Sequence, residues 1–283
     1  MPRVGIITDS IHGLPPELIQ EYDIRVAPMG VNINNKGYRD GMDITSRDFY
    51  KLFKEMDSPG STSAASPGDF LKIYSSLARV TDSMVYIGVS RLVTATYNVA
   101  QQTREMFLED NPGIRIELID SKNCMGALGF LVLKAARAAG AGKNLPEIIE
   151  IILNMIPRIK YLSVLDTLRY LIKIGRLPKT AASEEKLKFR PLIGMTDNSG
   201  QMQSFAPVEV PQALNKLLEL ADNCITPGKP VHAVIHHSEY VEEAEELRRL
   251  VISRFKPVEL YVTEYTPAAL MSTGLMTGLS LYT

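Results

Sequence analysis

The 283-residue sequence has no tryptophan, two cysteines and four histidines. Cys124 and Cys224 lie far apart and form neither a disulfide framework nor a metal or redox motif, which points to a reduced, cytoplasmic setting. His236 and His237 are adjacent, without the spacing of a metal site, and His12 falls in a turn, so no metal and no cofactor is expected. No apolar run approaches the ~20 residues of a membrane span, so no integral membrane segment is expected. The apolar run at 4–8 is too short for a secretion signal. Charge is nearly balanced, at −1, so no nucleic-acid partner is indicated. The phosphate loop, the dinucleotide fingerprint and the nucleophile elbow are all missing. Disorder is excluded by composition: 45% of residues are hydrophobic and 22% charged, enough apolar matter for a sizeable core.

What is present is an alternation. Short apolar runs at 4–8, 24–29 and 84–89, and an alternating run at 114–119, read as strands. Helical patterns lie between and after them, at 45–56, 67–77, 97–109, 126–141 and 145–159. This order predicts an α/β fold whose first part is a mainly parallel, three-layer sheet domain. Beyond Pro157 the pattern changes. Strands at 161–164, 231–235 and 258–262, a hairpin across 190–208 and helices at 166–174, 211–224 and 239–255 predict a smaller α+β domain. The expected domains are 1–157 and 158–283.

Hydroxyl groups collect where a doubly covered parallel sheet places its ligands, at the carboxyl ends of strands. Ser10, Ser90, Thr94 and Ser121 all follow predicted strands. The stretch Ser61-Thr62-Ser63 precedes a helix that Ser66 caps, with Pro67 and Asp69 in its first turn. Free N–H groups at that helix start would suit a small anion; the plainer reading is a surface turn before a capped helix. Arg169, Lys173 and Arg176 form a basic helix face, read either as solvated or as ion-paired. The methionines are core filler or the lining of an adaptable apolar pocket.

Several segments together resemble the DegV family. Thr8-Asp9-Ser10-Ile11-His12-Gly13-Leu14-Pro15 is similar to its Thr-Asp-Ser-x-x-Asp-Leu-Pro opening. Thr62-Ser63-Ala64-Ala65-Ser66-Pro67 resembles its Thr-Ser-Gln-Pro-Ser segment, and Ser90-Arg91-Leu92-Val93-Thr94-Ala95-Thr96-Tyr97 resembles Ser-Ser-x-Leu-Ser-Gly-Thr-Tyr. Asp120-Ser121 and the run from Leu168 to Leu177 follow in the family order. The resemblance implies two domains holding one long-chain fatty acid between them, with its carboxylate on Thr62 and Thr94. Ser63 and Ala95 flank those positions, and Ser272 stands where the family has a histidine. Ser10, Ser121, Arg91 and Arg176 are possible supports; Arg91 either adds charge near the carboxylate or points to solvent. The resemblance further implies a fatty acid kinase as partner and no catalysis by this chain. Ala95 in place of Gly adds a methyl beside the head group, and Met125 and Ala127 replace Ser and Gly.

The energetics favour such a ligand. Each buried methylene contributes about 0.8 kcal/mol, and a hydrogen bond to a charged group about 1.5–3 kcal/mol. The tail would dominate affinity and the hydroxyls would fix orientation, with the apolar helix at 126–139 expected as a wall, each of its residues reading equally well as plain core. Two other readings stand beside this one. The first is a kinase- or phosphotransferase-like enzyme acting on a small hydroxylated substrate; the second is a degenerate member that only docks partners.

Overall fold

A computed structural model describes residues 4–54, 60–167, 170, 172 and 189–283. The first parallel strand is β1 (Gly5–Asp9), every residue of which is buried. It is followed by α1 (Pro16–Glu21) and β2 (Arg25–Ala27). Three short strands come next, β3 (Gly30–Ile33), β4 (Lys36–Arg39) and β5 (Ser61–Ser63), with α2 (Ser46–Lys54) between the last two. Then come α3 (Pro67–Leu77), β6 (Ser83–Gly88), α4 (Thr96–Asp110) and β7 (Arg115–Asp120). Strands β1, β2, β6 and β7 form a parallel sheet in the order β2-β1-β6-β7. Strands β3, β4 and β5 form a separate antiparallel sheet, β4-β3-β5.

Side-chain alternation divides the parallel sheet between two layers of helices. Ile7, Met84 and Tyr86 pack with Phe70 and Tyr74 of α3 and Ala100 of α4. Ile6, Val85 and Ile87 face the opposite way, toward Leu128, Leu131 and Val132 of α5 (Met125–Gly140). Helix α6 (Leu145–Met155) and a 3-10 turn (Ile156–Arg158) lead into a six-stranded sheet.

That sheet comprises β8 (Lys160–Leu165), β9 (Phe189–Met195), β10 (Gln203–Glu209), β11 (His232–His237), β12 (Glu259–Glu264) and β13 (Met276–Tyr282). Its order is β10-β9-β8-β13-β11-β12, antiparallel except for the β11/β12 pair. Helices α7 (Ala213–Asp222) and α8 (Val241–Phe255) cover one face through Leu217, Leu218, Leu247 and Val251. Helix α9 (Pro267–Thr273) lies between β12 and β13.

The opposite face meets α5, which packs on β1 and β6 of the first sheet and on β8, β11 and β13 of the second. This double contact explains why α5 is apolar almost all round: twelve of its sixteen residues are buried. The helix is therefore core. Of the two readings of 126–139, plain core fits the body of the helix and the wall does not: only its first residue, Met125, reaches the cavity described below.

Candidate functional site

A cavity of about 460 Å³ opens between the small sheet, the loop after β6 and helix α9. One part of its lining carries hydroxyl groups: Ser61, Thr62 and Ser63 from β5, Thr94 with Ala95 before α4, and Ser272 with Thr273 on α9. The other part is apolar, formed by Ile11, Met29, Val89, Cys124, Met125 and Ala269. Met202, in the β9–β10 turn, and the small apolar residues Ala64 and Val93 complete the lining. A volume of this size, mainly apolar with a few convergent polar groups, suits a small organic ligand. Thr62, Ser63, Thr94, Ala95 and Ser272, singled out from the sequence, thus share one cavity.

The hydroxyl stretch is built differently from expectation. Ser61–Ser63 is a strand, with Thr62 opposite Val31 and Ser63 opposite Gly30. The start of α3 is already occupied: the Ser66 hydroxyl accepts the Asp69 N–H at 3.1 Å and donates to the Asp69 carboxylate at 2.6 Å. An anion is better served by α4, fifteen residues long, whose N-cap Ala95 has no capping side chain. Its N-terminal partial positive charge therefore falls on the cavity rim at Thr94 and Ala95. Thr94 Oγ1 accepts the Thr96 N–H at 3.3 Å and lies 3.0 Å from Thr96 Oγ1. When Thr96 donates in that contact, the Thr94 hydroxyl proton is left for a ligand. Ser272 differs, because its hydroxyl donates to Ala268 O at 3.2 Å within its own helix.

Three of the supporting residues lie outside the lining. Ser10 Oγ accepts the Met29 N–H at 3.1 Å. Ser121 Oγ accepts from Asn123 N at 3.1 Å and donates to Asn123 O at 3.0 Å, closing a turn on itself. The Ser121 hydroxyl serves backbone, and that of Ser10 serves the Met29 backbone and the Asp40 carboxylate. The exposed Arg91 guanidinium sits 5.8 Å from the centre of the Tyr97 ring. Arg176, with Arg169 and Lys173, lies outside the described residues.

Buried ionisable groups brace the cavity from behind. Asp9 accepts the Ile11 and Val89 N–H groups at 3.1 and 2.8 Å and the Tyr86 hydroxyl at 3.1 Å. Burial still lifts its pKa to about 6, against the lowering effect of these donors. Asp40, also buried, accepts the Ala268 N–H at 3.3 Å, and burial lifts it to about 6 as well. The Asp9 staple went unseen in the sequence, although the Thr8-Asp9-Ser10 run marked the place.

His12 and His236 brace backbone. His12 Nδ1 accepts the Leu14 N–H at 2.9 Å in a turn, and burial lowers its pKa to about 4. His236 is fully buried, and its Nε2 accepts the Gly126 N–H at 3.1 Å. An N–H only donates, so the imidazole proton sits on Nδ1, 2.9 Å from Thr263 Oγ1. Thr263 in turn donates to Gly13 O at 3.3 Å. This chain joins β11 and β12 to the loop after β1 and the start of α5, beside Met125. Among the described residues, no group of three His, Cys, Asp or Glu side chains is gathered for a metal, and no helix is long and apolar enough to cross a membrane.

Comparison with known proteins places these features in a family. The model described as "Uncharacterised protein, DegV family" matches residues 3–283. A DegV domain-containing protein from Caldanaerobacter subterraneus is 39% identical over 64% of this chain and 62% of its own length. Among solved structures, a DegV family protein from Thermus thermophilus described as fatty acid binding superposes with a TM-score of 0.87 at 23% identity, over 99% of both chains. A DegV family protein from Ruminococcus gnavus, determined with vaccenic acid, superposes with a TM-score of 0.89 at 20% identity, over 99% of both chains.

Proposed function

The chain belongs to the DegV family, and from that premise we propose that it binds one long-chain fatty acid in the 460 Å³ cavity. The observation that carries this reading is the division of one cavity into a hydroxyl rim at an uncapped helix start and an apolar remainder. The carboxylate is held by Thr62 and Thr94 with the α4 N-terminus behind them, and the tail lies along Met29, Val89, Cys124 and Met125. Ser272, turned to its own helix, contributes little until its hydroxyl rotates. The units 1–157 and 158–283 close on the ligand at α9 and Met202. The chain works as a cytoplasmic carrier, without a reaction of its own, presenting the acid to a fatty acid kinase. The fatty-acid-binding relatives from Thermus thermophilus and Ruminococcus gnavus support the ligand class.

The test is extraction of the purified protein with organic solvent followed by mass spectrometry, with uptake of added palmitic acid measured alongside. A stoichiometric fatty acid, or saturable uptake, is the expected result; neither extract nor uptake overturns the proposal.

A further inference from the structure

Asp9 touches two walls of the cavity without lining it. Its Oδ1 takes the backbone N–H of Ile11, in the loop after β1. Its Oδ2 takes the backbone N–H of Val89, in the loop after β6, together with the Tyr86 hydroxyl. Ile11 and Val89 both line the cavity. One side chain, fully buried, thus sets the spacing of two lining residues that lie on different loops.

We propose that Asp9 is a positioning residue for the ligand: its ionised carboxylate holds Ile11 and Val89 at the separation that fits an acyl tail, and its protonation loosens one wall. The proposal rests on the fatty-acid reading above and adds to it a residue that meets no ligand atom.

The chemistry follows from what each partner can do. An ionised carboxylate only accepts, and all three of its partners here are placed to donate. Protonation turns one oxygen into a donor. A proton on Oδ1 opposes the Ile11 N–H; a proton on Oδ2 turns toward Tyr86 and leaves the Val89 N–H a neutral, poorer acceptor. Only the Tyr86 hydroxyl can reverse its role and accept. Whichever oxygen is protonated, the carboxyl loses its charge and at least one backbone tether is weakened.

The groups facing Asp9 leave it as the one that changes charge first with its neighbour Asp40. Burial raises the Tyr86 hydroxyl and the Cys124 thiol, so both stay neutral near pH 7, and the field of Asp9 adds to each. Asp40, on the far side of Ser10, is lifted to about 6 by burial and, to a lesser degree, by the charge on Asp9. Asp9 itself is lifted to about 6, so the tether changes within a pH range where the fold can be studied.

The experiment measures binding of palmitic acid and of methyl palmitate, which has no carboxylate to titrate, by wild type and Asp9→Asn between about pH 8 and about pH 5. Wild type should hold the ester about tenfold more weakly at the acid end, the loss expected from one tether. Asp9→Asn should bind weakly and equally across the range. A variant that matches wild type at about pH 8, or keeps its pH step, overturns the proposal. Should the variant not fold, the wild-type amide proton resonances of Ile11 and Val89 decide: they should titrate together, and their invariance overturns the proposal. Failure of the underlying reading looks different, because wild type would then take up neither acid nor ester at any pH.

Discussion

The hydroxyl of Ser90 donates to the carbonyl of Gly200 at 2.6 Å, joining the loop after β6 to the β9–β10 turn. A Cβ at Gly200, whose φ is +84°, would lie 2.9 Å from that hydroxyl, so the contact needs glycine. The same turn brings Met202 to the cavity, and Lys160 ties it down through Asn198. Ser90→Ala removes the latch and leaves a buried carbonyl short of a donor. Release of a bound fatty acid should quicken about fivefold to tenfold, measured by transfer to an excess of acceptor vesicles.

The hydroxyl rim gives a ligand-specific expectation. Thr62→Val combined with Thr94→Val should weaken a free fatty acid by about tenfold to a hundredfold, from the loss of one or two hydrogen bonds to a charged group. The methyl ester should be nearly unaffected. Competition binding with both ligands checks this, and equal losses would count against a carboxylate at the rim.

His236→Phe removes the acceptor for Gly126 N–H and takes a partner from Ser280 and from Thr263 in a buried site. A cost of about 3 kcal/mol in urea unfolding is expected at pH 7. The His236 pKa is lowered to about 3, first by burial and then by the neighbouring His237 and His12. The unfolded chain takes up a proton below about 6.5, so this contribution is complete above that pH and is lost as pH falls toward 3. The penalty of the substitution should therefore be smaller at pH 5 than at pH 7.

Asp40→Asn has the opposite sign. Asp40 is raised to about 6 in the fold, above the ~3.9 of an unfolded chain. Ionisation thus favours unfolding, and its cost is present above about pH 6 and relieved as pH drops toward 4. The amide keeps an oxygen for Ala268 N–H. Asp40→Asn should raise stability by about 2 kcal/mol at pH 8 and by little below pH 5, read from denaturant midpoints.

The parallel sheet was legible because β1 and β6 are buried on both faces, which leaves mainly apolar runs such as that at 4–8. Helix α3 begins at Pro67 and ends at Leu77 as its cap and periodicity predict. The small sheet was not legible: Ser61–Ser63 is exposed or half-buried and has no apolar alternation. Its hydroxyls therefore read as a loop leading into α3. The anion-favouring helix start was misplaced for a related reason. A strong cap such as Ser66 announces a helix but also takes up an N–H group of its first turn, whereas the weak cap Ala95 is silent and, apart from the Thr96 N–H held by Thr94, leaves the first turn of α4 open. Ser10 and Ser121 misled because a hydroxyl after a strand serves its own turn as readily as a ligand. The brief α9 was hidden by its length of seven residues.

Strand β13 lies between β8 and β11, antiparallel to both. The two halves of the second sheet thus have no direct edge in common until Met276–Tyr282 has been synthesised. Five of six strands leave the ribosome before the one that unites them, and α9, a wall of the cavity, comes immediately ahead of it. The parallel sheet and α5 can form during synthesis, but the side of α5 that meets β13 remains uncovered until that strand arrives. Nascent chains should therefore acquire the ability to hold a lipid abruptly and late, with exposed apolar surface up to that moment as the hazard.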